Sequence, residues 1–203
     1  MALSEAQILR YSRQILLREV GGRGQERLLA QGVRVKAQAE AGLTAAAYLA
    51  AGGMTVGAGP EPVAPGAVGF LIAARDVGQP ADEVLTRALR DVPGEATGAR
   101  ETALLAEVPA RWTGEGPWVA LGGEGTRGVI VFRGREGCAG CFEATTRALG
   151  APPPGALGVG LGALGALVLQ RLLLGLGPVL GALVWEAPGV LTDGPVRPCE
   201  RCG

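Results

Sequence analysis

The stretch Val33–Met54 constrains the fold of this chain more than any other part of the sequence. Val33 and Val35 are typical of a short buried strand, and the Ala-rich run Gly42–Ala51 predicts a helix, with a tight turn between the two. A strand, a turn and a helix in this order open a parallel βαβ unit, in which a phosphate group can bind at the helix N-terminus. The sequence therefore predicts an α/β fold that contains a parallel sheet.

The turn itself does not have the composition of a phosphate site. Ala37, Ala39 and Glu40 stand where the phosphate-binding fingerprint has glycines. A methyl group at such a position pushes the backbone away from a phosphate, and Glu40 adds a negative charge beside it. We therefore predict the architecture of a nucleotide site without much of its chemistry.

Composition excludes several classes of function. The 19 basic and 19 acidic residues give a formal net charge of zero and form no basic stripe, which argues against nucleic-acid binding. The chain has no histidine, which excludes Ser-His-Asp and Cys-His catalysis and leaves cysteine and carboxylate as metal ligands. The N-terminal segment lacks the pattern of a secretory signal, so we expect a cytoplasmic protein.

Apolar patterning predicts further elements along the chain. Leu3–Leu17 predicts a helix that begins with a capping box formed by Ser4 and Gln7. Ala67–Ala73 predicts a buried strand, and Glu101–Glu107 predicts one or two helical turns. Trp118–Leu121 and Val129–Phe132 are typical of a hairpin or a pair of strands at a sheet edge, and the segment 57–66 is a Gly/Pro-rich connection.

Ala156–Leu176 is apolar enough that a membrane helix has to be considered. Gln170 and Arg171 divide the run into pieces shorter than the roughly 20 residues that a span needs. Its glycines at positions 158, 160, 162 and 165 would let a neighbouring helix or sheet approach closely. A buried core or dimer-interface helix is therefore favoured, with a membrane span as the alternative.

The four cysteines form two CxxC pairs, Cys138/Cys141 and Cys199/Cys202. A two-residue spacer lets a turn aim both sulfurs at one ion, and four thiolates suit a structural zinc. Disulfides are less expected without a secretory signal, and a redox CxxC usually occurs as a single pair. A four-thiolate site has no open coordination position, so we expect this metal to stabilise the fold and not to catalyse.

These motifs occur in an order that resembles the ThiF/MoeB/HesA family, the bacterial relatives of ubiquitin-activating enzymes. The resemblance is carried by RYSRQILL at Arg10–Leu17, YLAAGG at Tyr48–Gly53 and the two CxxC pairs, and it covers nearly the whole chain. It implies a Rossmann-like mixed sheet flanked by helices, a tetrathiolate zinc at the sheet edge, and a homodimer. It also implies ATP-Mg-dependent adenylation of the C-terminal glycine of a ubiquitin-like sulfur-carrier protein.

Carried over residue by residue, the resemblance assigns a catalytic role to two positions. Arg13 matches the family arginine that reaches the ATP of the partner subunit, and Asp76 matches the Mg-binding aspartate, with a helix or turn cap as the alternative role. Gly42 alone survives from the Gly-rich turn as a cofactor-binding residue. The ribose-binding carboxylate would fall near Gly59, where Glu61 is the nearest acid, and the segment with the catalytic lysine is missing.

Three functions remain open at this point. The first is a degenerate, catalytically impaired scaffold of residues 1–203, with an N-terminal helical segment (1–31), a nucleotide-binding half (32–92) and a zinc-bearing half (117–203). It would bind a ubiquitin-like or sulfur-carrier protein, or an active family member, in a homo- or heterodimer. The second is an active adenylyltransferase with a remodelled site, and the third is a membrane-associated or redox protein.

Overall fold

A seven-stranded mixed sheet flanked by helices organises the chain in the computed structural model, which confirms the predicted α/β class. The structure describes residues 2–37, 39–69, 72–90, 92, 101–186 and 189–202. The helices in these ranges are α1 (Glu5–Arg10), α2 (Ser12–Ile15), α3 (Gly21–Leu29), α4 (Glu40–Ala51), α5 (Ala81–Ala88), α6 (Ala139–Thr146) and α7 (Gly155–Leu174). The strands are β1 (Gly32–Lys36), β2 (Thr55–Ala58), β3 (Glu101–Glu107), β4 (Trp118–Glu124), β5 (Arg127–Arg133), β6 (Leu180–Glu186) and β7 (Val190–Gly194).

The sheet has a parallel half and an antiparallel half, in the strand order β2-β1-β3-β4-β5-β6-β7. Strands β2, β1, β3 and β4 run parallel to one another, and each strand from β4 to β7 is antiparallel to the next. The predicted unit is present as β1, α4 and β2, with Val33 and Val35 fully buried. The carboxyl ends of β1, β2 and β3 therefore meet at one edge of the sheet, where open α/β folds bind ligands.

Two predictions for the parallel half were wrong. Glu101–Glu107 is not helical but forms β3, a central strand paired with β1 and β4. Its Ala and Leu residues favour a helix in isolation, but burial between two strands overrides that preference. A strand was also predicted at Ala67–Ala73, but the described residues of this range form none. The proline at position 65 opens a short 3₁₀ turn, Pro65–Ala67, at the start of the range. Residues 70 and 71 lie outside the described part.

The antiparallel half begins with the hairpin that the sequence predicts. Strands β4 and β5 pair in register from Trp118 with Arg133 to Glu124 with Arg127, and Gly125 adopts φ +63° in the turn between them. The hairpin lies in the interior of the sheet and not at its edge, since β3 and β6 flank it. The edge strand on this side is β7.

Helix α7 packs by its glycines, as the sequence suggests, against three neighbours. A Cβ at Gly162 would overlap the carbonyl oxygen of Ala41 in α4, and one at Gly160 would overlap the ring of Trp185 in β6. A Cβ at Gly165 would lie 2.5 Å from a methyl of Leu121 in β4. In the described part of the chain, α7 is the one helix long and apolar enough to cross a membrane, but these contacts make it a core helix that packs beside α4 on strands β4 and β5.

We predict that Gly162→Ala destabilises the protein, because the new methyl group meets backbone in α4 and neither helix can move without opening the core. The free energy of unfolding should fall by about 1–3 kcal/mol. Denaturant unfolding followed by circular dichroism measures this change. The matched control is Gly22→Ala in α3, where no atom lies within 4 Å of the added Cβ, and there the stability should stay the same or rise. Equal behaviour of the two variants would contradict the close packing of α7 on α4.

Candidate functional site

The four cysteines come together at the end of the antiparallel half. Cys138 and Cys141 lie at the N-terminus of α6, and Cys199 and Cys202 lie in the turn that follows β7. All four sulfur atoms lie within 4.8 Å of one another. The sequence prediction that both CxxC pairs serve one site agrees with this geometry.

The sulfur positions fit a tetrahedral metal ion. The Sγ atoms of Cys138 and Cys199 are 3.7 Å apart, and those of Cys138 and Cys202 are 3.6 Å apart. A tetrahedron with Zn–S bonds of about 2.3 Å has S···S edges of roughly 3.8 Å, whereas a disulfide brings its sulfurs to about 2.05 Å. All four cysteines are free, so the cluster fits an ion such as Zn²⁺ and leaves no position for a substrate.

The cluster fastens the C-terminal turn to α6. The backbone N–H of Cys199 donates to Cys141 Sγ at 3.4 Å, and the N–H of Arg197 donates to Thr145 Oγ1 at 2.8 Å. Gly140 is required between the first two ligands, since a Cβ there would lie 2.9 Å from Cys199 Sγ. The metal's chemistry at such a site is structural, because four thiolates complete its coordination.

The thiols of the cluster have unequal proton affinities. The backbone N–H of Cys141 donates to the sulfur of Cys138 and, together with the neighbouring thiols, lowers the pKa of Cys138 to about 6. The hydrogen bond from the thiol of Cys202 to the sulfur of Cys138 raises the pKa of Cys202 to about 12, and the pKa of Cys141 is also raised. Without a metal, the cluster therefore holds a thiolate at Cys138 and keeps Cys141 and Cys202 protonated at neutral pH.

The turn predicted to be a nucleotide site is closed by a carboxylate of the protein itself. Glu107, the last residue of β3, accepts the N–H of Ala39 at 2.7 Å and the N–H of Gly42 at 2.6 Å, one on each carboxylate oxygen. Ala39 is the N-cap of α4 and supplies no side-chain cap of its own. Glu107 thus lies where a phosphate would meet the N–H groups of a helix N-terminus.

Glu40 also has an internal role. Its carboxylate accepts the N–H of Gly155 at 2.8 Å, the first residue of α7, while Glu40 itself lies in the first turn of α4. Two helix N-termini are therefore balanced by carboxylates of the chain, Glu40 and Glu107. Gly42 is needed for packing as well, because a Cβ there would lie 2.6 Å from the Cβ of Ala37.

The structure does not bring Arg13 and Asp76 to this turn. Arg13 is exposed on α2, in the N-terminal segment whose Ser4–Gln7 capping box is present as predicted. The buried carboxylate of Asp76 accepts the N–H of Ala73 at 2.8 Å and pairs with Arg87 of α5 at 2.5 Å. This is the geometry of a turn cap with an ion pair, and a role of Arg13 or Asp76 in catalysis stays a prediction.

A small crevice opens beside the turn, at the carboxyl ends of β1, β2 and β3. Its volume is about 240 Å³, below the range of roughly 300–1,000 Å³ that is usual for ligand pockets. Among the described residues, Lys36, Glu61, Glu107 and Arg111 are the charged ones that line it, and neither Arg13 nor Asp76 does. The sequence analysis did not identify Glu107 as a site residue, because it predicted a helix at Glu101–Glu107. The signal that could have identified it is its position as an acidic residue at the end of a buried apolar run.

We predict that the purified protein contains one tightly bound metal ion per chain, which elemental analysis counts. Cys199→Ser should lose the ion and lower the unfolding temperature, since the metal then no longer joins the C-terminal turn to α6. Glu200→Gln, between two ligands but not one of them, should keep both properties. A metal-free wild type of unchanged stability would contradict the assignment.

We also predict that metal affinity falls steeply as the pH is lowered. Because the pKa values of Cys141 and Cys202 are raised, binding at neutral pH must displace at least their two protons. The apparent association constant should then fall at least about 100-fold per pH unit, and faster below pH 6 where Cys138 also takes up a proton. Competition with a chromophoric chelator at several pH values measures the slope, and a slope of one proton or less would refute this account.

Comparison with known proteins identifies the fold. No protein-family model and no curated protein matches the sequence. Among solved structures, PaaA is similar, with a TM-score of 0.65 at 15% identity over 95% of this chain and 84% of PaaA. E. coli MccB with AMPCPP and MccA has a TM-score of 0.68 at 14% identity over 96% of this chain and 73% of MccB. At these identities the likeness shows the fold alone: nearly the whole chain has the fold of PaaA and MccB.

Proposed function

We propose that this protein is a scaffold with the ThiF/MoeB fold that does not form adenylates and that binds another polypeptide. The partner is either a ubiquitin-like or sulfur-carrier protein or an active adenylyltransferase of the same fold. A metal such as zinc stabilises the scaffold through Cys138, Cys141, Cys199 and Cys202. The observation that carries the proposal is the carboxylate of Glu107 on the turn that would otherwise hold phosphate.

The contacts of Glu107 make polyphosphate a poor ligand for the turn. Hydrogen bonds to a charged group contribute about 1.5–3 kcal/mol each, and a phosphate would have to break the two that Glu107 accepts from Ala39 and Gly42. Glu107 is only 5% exposed, so the displaced carboxylate would have to leave a buried position beside the incoming negative charge. The methyl groups of Ala37 and Ala39 oppose close approach as well.

The surface of the N-terminal helices supports a polypeptide partner. Leu9 of α1 is 71% exposed and Leu16, directly after α2, is 83% exposed, with Ile8 and Leu17 also exposed beside them. Apolar side chains exposed next to one another mark interaction sites more often than chance. Arg13 is exposed on the same segment, so a partner that covers this surface would contact its guanidinium, which suits a heterodimer with an active enzyme. One neighbouring structure, MccB with AMPCPP and MccA, likewise holds a second molecule besides a nucleotide analogue.

The alternative function is an active adenylyltransferase with a remodelled site. It is favoured by the position of Glu107 at the carboxyl end of β3, beside the turn: if this carboxylate swung away from Ala39 and Gly42, it would be available to bind a Mg²⁺ ion carried by ATP. In that case Glu107 is needed for activity. In the scaffold it only excludes the ligand, so the two functions predict opposite effects of removing it.

We predict that the wild-type protein gives no saturable heat on titration with ATP-Mg in an isothermal calorimeter. Glu107→Ala frees the N–H groups of the turn and should bind ATP-Mg weakly but measurably, in the millimolar range. Glu107→Gln keeps the size of the side chain and tests whether the carboxylate charge is required for exclusion. The control is Glu124→Ala at the exposed end of β4, which should behave as wild type. Thermal unfolding of each variant establishes that it is folded.

The alternative is tested by ATP–pyrophosphate exchange in the presence of candidate carrier proteins. Micromolar binding of ATP-Mg to the wild type, together with exchange that Glu107→Gln abolishes, would replace the scaffold by the enzyme. Pull-down of a carrier or of an active enzyme, weakened by Leu16→Asp and unaffected by Leu167→Asp on the exposed face of α7, supports the scaffold.

A further inference from the structure

We infer that Arg133, the last residue of β5, is a positioning residue of the metal site, because its guanidinium holds the loop that presents Cys138. This inference rests on the proposed function in one respect, namely that the four cysteines bind a metal ion. It goes beyond that function by giving a role to a side chain that is not itself a ligand. Contacts outside the ligand set orient metal ligands in proteins and affect the affinity for the ion.

The guanidinium of Arg133 is buried and donates to three backbone carbonyls. Nε donates to the carbonyl oxygen of Gly137 at 2.7 Å, Nη2 to that of Arg135 at 3.3 Å and Nη1 to that of Gly116 at 3.5 Å. Gly137 directly precedes the ligand Cys138 in the sequence. The shortest of the three bonds therefore fixes the peptide group that joins Gly137 to Cys138.

The charge of Arg133 has no acidic partner in the described part of the chain. The residue is only 9% exposed, and no described carboxylate lies within 4.0 Å of its charged group. Burial of a cation costs free energy unless other polar contacts replace water. Here the replacement consists of the three carbonyls and the ring of Trp118, whose centroid lies 4.4 Å from Cζ of Arg133. The guanidinium thus serves the loop and its surroundings and not an ion pair.

Trp118 connects the same guanidinium to the helix that carries the first two ligands. Its ring centroid lies 5.6 Å from that of Phe142, which is fully buried and directly follows Cys141 in α6. Arg133 therefore supports the first CxxC pair from two sides, through the peptide group before Cys138 and through the aromatic contact next to Cys141.

The loop between β5 and α6 is a closely packed turn. The N–H of Gly134 donates to the carbonyl oxygen of Val179 at 2.6 Å, and the N–H of Gly137 donates to the carbonyl oxygen of Gly134 at 3.2 Å. A Cβ at Gly137 would overlap the carbonyl oxygen of Val179. The turn is thus held at its start by Val179 and at its end by Arg133, so loss of the guanidinium frees the end that leads to Cys138.

A lysine could not take over this role. The planar guanidinium has donors in several fixed directions, whereas an ammonium is a single charged point on a flexible stem. Arg133→Lys therefore keeps the charge but loses the simultaneous contacts with the three carbonyls. Arg133→Met has a long apolar stem and loses both the charge and the donors.

The experiment measures how tightly and in what geometry the full chain holds the ion. Competition with a chromophoric chelator gives the affinity for Zn²⁺, and the visible absorption spectrum of the Co²⁺-loaded protein reports the arrangement of the thiolates. We expect Arg133→Met to weaken Zn²⁺ binding about 10–100-fold and to change the Co²⁺ spectrum. Arg133→Lys should weaken binding about tenfold, since at least one charge-assisted hydrogen bond is lost.

Two control variants separate positioning from a general loss of charge or stability. Arg147→Met removes an exposed arginine at the C-terminal end of α6 and should bind Zn²⁺ as wild type does. Gly162→Ala weakens the packing of α7 on α4 and should lower the unfolding temperature without changing the affinity for Zn²⁺.

Wild-type affinity and an unchanged Co²⁺ spectrum in Arg133→Lys or in folded Arg133→Met would overturn the inference, as would equal weakening in Gly162→Ala. If Arg133→Met does not fold, Arg133→Lys decides by the same measurements. Failure of the metal assignment is recognised separately, because the wild type then binds neither Zn²⁺ nor Co²⁺, which rejects both. Micromolar binding of ATP-Mg would reject the scaffold and leave the role of Arg133 intact.

Discussion

The contact between Glu107 and the N-terminus of α4 joins this helix to the central strand β3 of the parallel half. A helix N-terminus leaves backbone N–H groups without intrahelical partners, and burial of such groups costs free energy unless another acceptor satisfies them. In a nucleotide-binding protein the ligand phosphate can be that acceptor. Here the N-cap residue is Ala39, which has no acceptor side chain, and Glu107 reaches the turn from the central strand β3. The turn is therefore complete without a ligand.

Local patterns in the sequence were enough to predict the elements that depend on neighbouring residues. The strand–turn–helix of Val33–Met54, the capping box of Ser4 and Gln7 and the pairing of the cysteines all follow from spacing along the chain. The glycine contacts of α7 were also foreseen, because glycines at helical spacing predict close packing even before the partner is known. What the sequence could not supply was the identity of that partner.

The predictions that were wrong concern elements whose structure is decided by contacts between distant parts of the chain. Glu101–Glu107 has a helical composition, and only its place between β1 and β4 makes it a strand. That error concealed Glu107, whose hydrogen bond joins it to Gly42, 65 residues earlier in the sequence. For Asp76 the sequence left two roles open, the Mg-binding aspartate by resemblance and a helix or turn cap. The structure shows it capping Ala73 and paired with Arg87, and its catalytic role stays a prediction.

The two halves of the sheet differ in what they need from outside the chain. In the parallel half the carboxylate of Glu107, which belongs to the chain itself, accepts the N–H groups of Ala39 and Gly42 at the turn. In the antiparallel half the edge strand β7 is largely exposed, and four cysteines join the turn after it to α6. When ionised, their thiolates repel one another. Such a cluster needs a divalent cation to become attractive. The parallel half is thus closed by a residue of the chain itself, whereas the antiparallel half carries a cluster of ligands that fits an ion from outside the chain.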